Sequence, residues 1–185
     1  AVSGQDTVHE FQYENLDMLN ADLAYHSITY APDGSDAFYG VTRTLATEFP
    51  VSTTSATTLS LDDDDFGYVA FADGKTFALY GTEYSGVYIG SNGYLTFTQG
   101  DDEYYSEPVT HFNMPRISGL FADLSLEIDG RLSHQQLSDR FVVSYENVPD
   151  VLLDFFEMDS DNSFQIELYF DGTIRITVLS AQCLF

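Results

Sequence analysis

The stretch Val87-Tyr-Ile-Gly-Ser-Asn-Gly-Tyr-Leu-Thr-Phe97 decides the fold class. Apolar residues alternate on either side of Asn92-Gly93, and Asn-Gly between alternating runs is the strongest short hairpin cue, because a type I′ turn needs positive φ at both central residues. A hairpin with its tip at Asn92-Gly93 is therefore expected. Around it stand further strand-like runs, Phe66 to Phe71 and Phe77 to Tyr80, separated by Asp73-Gly74 and Gly81. A second hairpin is expected at Asp171-Gly172, where Phe164, Ile166, Leu168 and Phe170 alternate with polar residues before Ile174, Ile176 and Val178. Period 2 implies that each of these segments buries one face and wets the other.

Toward the N-terminus the apolar residues come in short bursts: Phe11 and Tyr13, then Leu23 to Tyr30, then Phe38 to Val41, with the turn formers Pro32-Asp33-Gly34-Ser35 between the last two. Pro50 to Thr58, rich in Ser and Thr, reads as a loop leading to a strand around Leu59 and Leu61. Helical evidence is thin: Gln135 to Arg140 and Val151 to Met158 offer at most single turns, without caps or a sustained 3.6-residue period. The expectation is an all-β fold, a two-sheet antiparallel β-sandwich, with a jelly roll as the alternative. Ile89, Leu95, Phe97, Leu120, Val142, Phe164, Ile166, Leu168 and Ile176 are the core candidates, and alternation predicts that they are not all equally buried.

The chain has 185 residues, 44% of them hydrophobic and 15% aromatic, enough for one domain with a sizeable core. Thirty acidic side chains face six basic ones, for a formal net charge of −24. Binding a phosphate backbone takes clustered Lys and Arg, so nucleic acid is excluded as a partner, and anionic membrane surfaces are disfavoured for the same reason. No apolar run reaches the roughly 18 residues a membrane span needs. Cys183 is the only cysteine, so no internal disulfide forms. The opening residues lack the basic and apolar regions of a signal peptide, as expected if one has been removed or if the domain is excised from a longer chain.

Four segments together carry a resemblance: Val87 to Phe97, His111-Phe-Asn-Met-Pro-Arg-Ile-Ser-Gly-Leu-Phe-Ala-Asp-Leu124, Asp139-Arg-Phe-Val-Val-Ser-Tyr-Glu-Asn-Val-Pro149, and Asn162 to Ile176. In this order they resemble the nidogen-like (NIDO-type) extracellular domain, with its Ser-Asn-Gly hairpin, its apolar segment ending in a Phe-x-Asp-Leu turn, its Val-Pro turn and its closing hairpin. The match looks closest to an accessory β domain of large secreted hydrolases and surface proteins of aquatic bacteria. The resemblance implies one domain over residues 8–179, with an N-terminal extension at 1–7 and an atypical tail at 180–185. It also implies a secreted, extracellular, non-catalytic module of a longer parent, joined to other domains and serving adhesion to polysaccharide or to an extracellular protein. It carries over no catalytic residues.

The candidate chemistry is sparse. Asp62, Asp63, Asp64 and Asp65 form one acidic cluster, Asp101, Asp102 and Glu103 a second, Asp159 and Asp161 a third. Carboxylates this dense repel unless a cation or water intervenes, so the clusters read either as solvated loops or as the site of one Ca²⁺, and the sequence does not choose the cluster. Tyr84, Tyr88, Tyr94, Tyr104 and Tyr105 gather around the central hairpin and read either as a ligand-binding set, since Tyr stacks on sugar rings and anchors interfaces, or as padding on an exposed sheet face. Asp123, inside an apolar run, needs a partner, with Arg116 or Arg140 expected to supply it. His111 is expected to hydrogen-bond structurally, and His9, His26 and His134 show no zinc spacing. Glu127-Ile-Asp129 resembles part of a β-glucanase signature, but Leu132 stands where its second acid belongs. The rival readings are a stand-alone jelly-roll glycosidase or lyase and a ligand-free spacer.

Overall fold

The structure, a computed structural model, describes residues 23–158 and 160–183. The expectations at His9, Phe11, Tyr13, residues 1–7 and Asp159 lie outside the described residues. In chain order the strands are β1 (His26–Pro32), β2 (Tyr39–Leu45), β3 (Thr57–Thr58), β4 (Phe66–Ala70), β5 (Phe77–Leu79), β6 (Thr82–Tyr84), β7 (Gly86–Gly90), β8 (Tyr94–Thr96), β9 (Arg116–Ser118), β10 (Arg131–Gln136), β11 (Arg140–Val148), β12 (Asn162–Tyr169) and β13 (Ile174–Ser180). Two short helices, α1 (Pro108–His111) and α2 (Val151–Phe155), interrupt them. A seven-stranded sheet runs β2-β1-β13-β12-β11-β10-β3, a four-stranded sheet runs β4-β7-β8-β9, and β5-β6 is a separate hairpin. All pairings are antiparallel.

The chain is therefore an antiparallel β-sandwich. Strands β10 to β13 follow one another in space as in sequence, a meander, where a jelly roll would alternate them between sheets. The inner face of the large sheet, with Phe141, Val143, Tyr145, Phe164, Ile166, Leu168, Ile174 and Ile176, packs on Val87, Ile89, Leu95 and Ile117 of the small one. The Tyr145 ring stacks on Phe164 at 4.4 Å, and its hydroxyl donates across the sandwich to the Gly90 carbonyl at 2.6 Å.

Several local expectations are corrected. Every core candidate is buried, and β12 from Asn162 to Leu168 is buried on both faces rather than wet on one. Its polar face is roofed by the Ser/Thr-rich loop: Val51 donates its N–H to the Gln165 side chain at 3.1 Å and accepts from it at 2.9 Å. Glu167 on that face is fully buried between Arg140 and Arg175, which satisfy its charge. The strand expected around Leu59 and Leu61 forms instead at Thr57–Thr58 against β10, while the two leucines pack partly buried on the core. Gln135 belongs to β10, not to a helical turn, whereas Val151–Phe155 is helical and capped by the Asp150 carboxylate, which accepts from Leu153 N at 3.0 Å. Both hairpins stand where expected, yet at the first tip only Gly93 has positive φ. With Ile89 opposite Leu95, the connection is longer than a two-residue I′ turn, and the Asn92 side chain is spent on tethering. The tail turns back onto the sandwich: Gln182 N donates to Asn162 Oδ1 at 2.7 Å and Cys183 is buried.

Candidate functional site

The tip of the β7–β8 hairpin is where the acidic loops meet. Ser91 staples the Asp62–Asp65 loop to the hairpin, its N–H donating to the Asp65 carbonyl at 2.8 Å and its hydroxyl accepting from Asp65 N at 3.1 Å. Asn92, 1% exposed, is a three-way tie. Its amide donates to Asp64 Oδ1 at 2.8 Å and to the Glu103 carbonyl at 3.3 Å, and its oxygen accepts from Leu124 N at 3.0 Å. Three segments distant in sequence are thereby drawn together.

The consequence is a knot of carboxylates. Ligand oxygens of Asp63, Asp64 and Asp123 lie within 4.8 Å of one another, the one such group of metal-ligating side chains among the described residues. Burial pushes the Asp64 carboxyl above its ordinary range, and Asp63, Asp102 and Glu103 add to the shift while the Asn92 hydrogen bond opposes it. Asp123 is pushed up to about 6, first by burial and then by the charges of Asp64, Asp63 and Asp150. Three carboxylates held this close form an all-oxygen donor set of the kind that suits a hard cation such as Ca²⁺.

The sequence placed Asp63 and Asp64 in one cluster and Asp102 and Glu103 in another; the fold brings both around one point. Asp62 and Asp65 are not in the three-carboxylate group, and Asp101 is taken by Arg116 in a buried ion pair. Asp161 lies apart, its backbone N–H bonded to Gln182. The expected pairing of Asp123 with an arginine is corrected: Arg116 pairs with Asp101, and Arg140 with Asp139 and Glu167. The signal for Asp123 was present, an acid in an apolar run, but the partners it meets are other acids.

The five tyrosines are dispersed. Tyr94 is 1% exposed, and its hydroxyl donates to the Asp101 and Glu103 carbonyls at 3.0 and 2.9 Å. That bond holds down the loop carrying Asp102 and Glu103, and burial drives the phenol pKa far above its ordinary value. Tyr84 packs on Phe97 at 5.0 Å, and Tyr104 and Tyr105 are exposed on the loop after Glu103. Tyr88 lies on the outer face of the small sheet among rings that sequence reasoning did not single out, 4.8 Å from Tyr68 and 6.1 Å from Phe66.

A cavity of about 630 Å³ opens between the two sheets, lined by Tyr39, Tyr80, Tyr84, His111, Ser118 and Ile176 among others, and none of its lining residues is acidic. The His111 ring and the Ser118 hydroxyl are 3.2 Å apart, and burial with the nearby Arg116 charge pulls the imidazole down to about 4. Glu127 and Asp129 lie on an exposed turn, where Asp129 Oδ1 accepts from Gly130 N at 2.7 Å. Neither approaches the geometry of a paired acid and base over a cleft.

A family model described as NIDO related matches residues 38–182. No curated protein and no solved structure matches the chain.

Proposed function

Because the chain belongs to the nidogen-related family, we propose that it is a non-catalytic extracellular recognition module of a longer secreted protein, which binds polysaccharide or another extracellular protein and is braced by one Ca²⁺. The observation that carries the reading is the Asp63, Asp64 and Asp123 group at the hairpin tip. A cation there would neutralise repelling carboxylates and lock together two of the three segments that Asn92 ties, the Asp62–Asp65 loop and the Asp123 turn, giving a rigid rim beside the outer face of the small sheet. Catalysis finds no support in the cavity, whose lining lacks the carboxylate pair of a glycosidase, or in its one histidine, which stays neutral at physiological pH.

The test is thermal unfolding with Ca²⁺, with Na⁺ at matched ionic strength, and with Mg²⁺, which demands stricter octahedral geometry. A native-state site filled at a hundredfold over its Kd contributes about 2.7 kcal/mol, a rise in Tm of roughly 5 to 10 °C for a chain of this length. Asp64→Asn and Asp123→Asn should abolish the Ca²⁺-specific rise and Asp161→Asn should preserve it. If NaCl reproduces the whole shift, the carboxylates are a solvated surface and the calcium reading fails.

A further inference from the structure

The outer face of the four-stranded sheet carries a feature that the metal group does not explain. On the edge strand β4, Phe66, Tyr68 and Ala70 point outward, and Phe66 and Tyr68 remain 39% and 53% exposed. Tyr88 stands opposite Tyr68 in the register and completes a stripe of three rings. The rings are laid on glycine. A Cβ at Gly86 would come within 2.4 Å of the Tyr68 hydroxyl, and one at Gly100 within 1.9 Å of the Phe66 ring. A side chain at either position would displace the ring above it, so the two glycines keep Tyr68 and Phe66 seated beside Tyr88, their rings tilted to the Tyr88 ring by 51° and 73°.

The chain's own charges choose the occupant. None of the six basic residues offers an exposed charge here: Arg43, Arg131, Arg140 and Arg175 sit in the seven-stranded sheet, Lys75 lies over the Phe170 ring, and Arg116, which shares this face on β9, has its side chain fully buried and paired with Asp101. Meanwhile the acidic Asp62–Asp65 loop runs directly into Phe66, and Gly100, beneath the Phe66 ring, leads into Asp101–Glu103. A uronate or sulfated polymer would meet repulsion from these loops with no exposed basic side chain to offset it. An uncharged sugar offers an apolar C–H face to the rings and hydroxyls that donate to carboxylates, and tyrosine matches that amphipathic surface with its own apolar ring and polar tip.

We propose that Phe66, Tyr68 and Tyr88 form a binding platform for an uncharged polysaccharide. This rests on the recognition reading above and narrows it to one ligand class and one face. The test is native affinity electrophoresis of the 185-residue chain in gels containing laminarin, xyloglucan, galactomannan or dextran, with alginate and carrageenan as anionic probes and hen lysozyme as a basic protein probe. At least one neutral polymer should retard the protein and neither anionic one should. Tyr68→Ala and Tyr88→Ala should weaken that retardation at least tenfold while Tyr68→Phe, which keeps the ring, retains most of it. Circular dichroism and Tm on each variant check that the surface changes leave the fold intact. Retardation unchanged in both alanine variants would overturn the platform while leaving the recognition module standing, since the sugar then binds elsewhere. Retardation by alginate or carrageenan would overturn the charge argument. Retardation by no neutral polymer, with a Tyr68-dependent complex on lysozyme, would overturn the sugar assignment in favour of a protein partner.

Discussion

Tyr145 shows how much a single atom does in this sandwich. Its hydroxyl is the donor that reaches the Gly90 carbonyl from the opposite sheet, so Tyr145→Phe keeps the stacking on Phe164 and leaves a buried carbonyl without that donor. A loss of about 1–3 kcal/mol is expected, seen as a lower urea midpoint at unchanged m; an unmoved midpoint would mean the bond contributes nothing net. Two other residues set a pH response. His111 titrates near 4 in the folded protein against an ordinary 6.5, so the unfolded chain takes up its proton first and stability falls as pH drops from about 6.5 to about 4. For Asp123 the folded value of about 6 lies above the ordinary 3.8. Without metal the folded protein takes up that proton first, and stability rises as pH drops from about 6 to about 4. The two contributions oppose one another over nearly the same window. In chelator, Asp123→Asn should make the protein more acid-sensitive than wild type between pH 6.5 and 4.5, and His111→Asn less so. Denaturant midpoints measured across that range check it, and variants that shift in the same direction would refute the assignment.

At the scale of the element, the Ser91-Asn92-Gly93 connection joins fold and site. Gly93 has φ +83°, and a Cβ there would lie 1.8 Å from the Leu120 carbonyl oxygen. Gly93→Ala therefore adds a left-handed strain to a backbone collision and should cost at least about 3 kcal/mol. Because Leu120 leads into Asp123, the same change should also remove the Ca²⁺-specific Tm rise; equilibrium unfolding with and without Ca²⁺ reads both. The hairpin was legible because Asn-Gly and alternation are local signals. That β12 is buried on both faces was not legible, because the cover over Gln165 comes from Val51, more than a hundred residues earlier. The site divides in the same way. The acidic runs were visible as composition, but their meeting depends on the Asn92 side chain, which the turn cue had assigned to backbone geometry alone. Asp123 was visible as an anomaly and was given an arginine, since pairing with opposite charge is the usual resolution; only the fold shows it among like charges. The tyrosines were grouped by proximity in sequence, whereas strand alternation and the roof over Tyr94 separate them and bring Tyr88 to Tyr68 and Phe66 instead.

Across the whole molecule the few positive charges are concentrated on one sheet. Arg140 and Arg175 flank Glu167, whose side chain is fully buried, and Arg131 bonds Glu146 at 3.2 Å together with the Thr53 and Ala56 carbonyls that belong to the covering loop. Glu167→Gln leaves Arg175 without its carboxylate and Arg140 with Asp139 alone, both arginines keeping part of their contact with water, and should cost about 1–3 kcal/mol. The remaining surface carries most of a net charge of −24, and its self-repulsion weakens the compact state. These two features respond differently to salt. Exposed like charges are screened strongly, with a Debye length of about 10 Å at 0.1 M and about 3 Å at 1 M, whereas the buried Glu167 group is screened little. Raising NaCl from 10 mM to 1 M in chelator should therefore raise the wild-type Tm. Glu167→Gln should show a rise of similar size from a lower starting point, because what salt relieves lies elsewhere on the surface. If the wild-type Tm falls with NaCl instead, ion pairing rather than net repulsion governs the surface, and the excess acid is already compensated by contacts among the charges themselves.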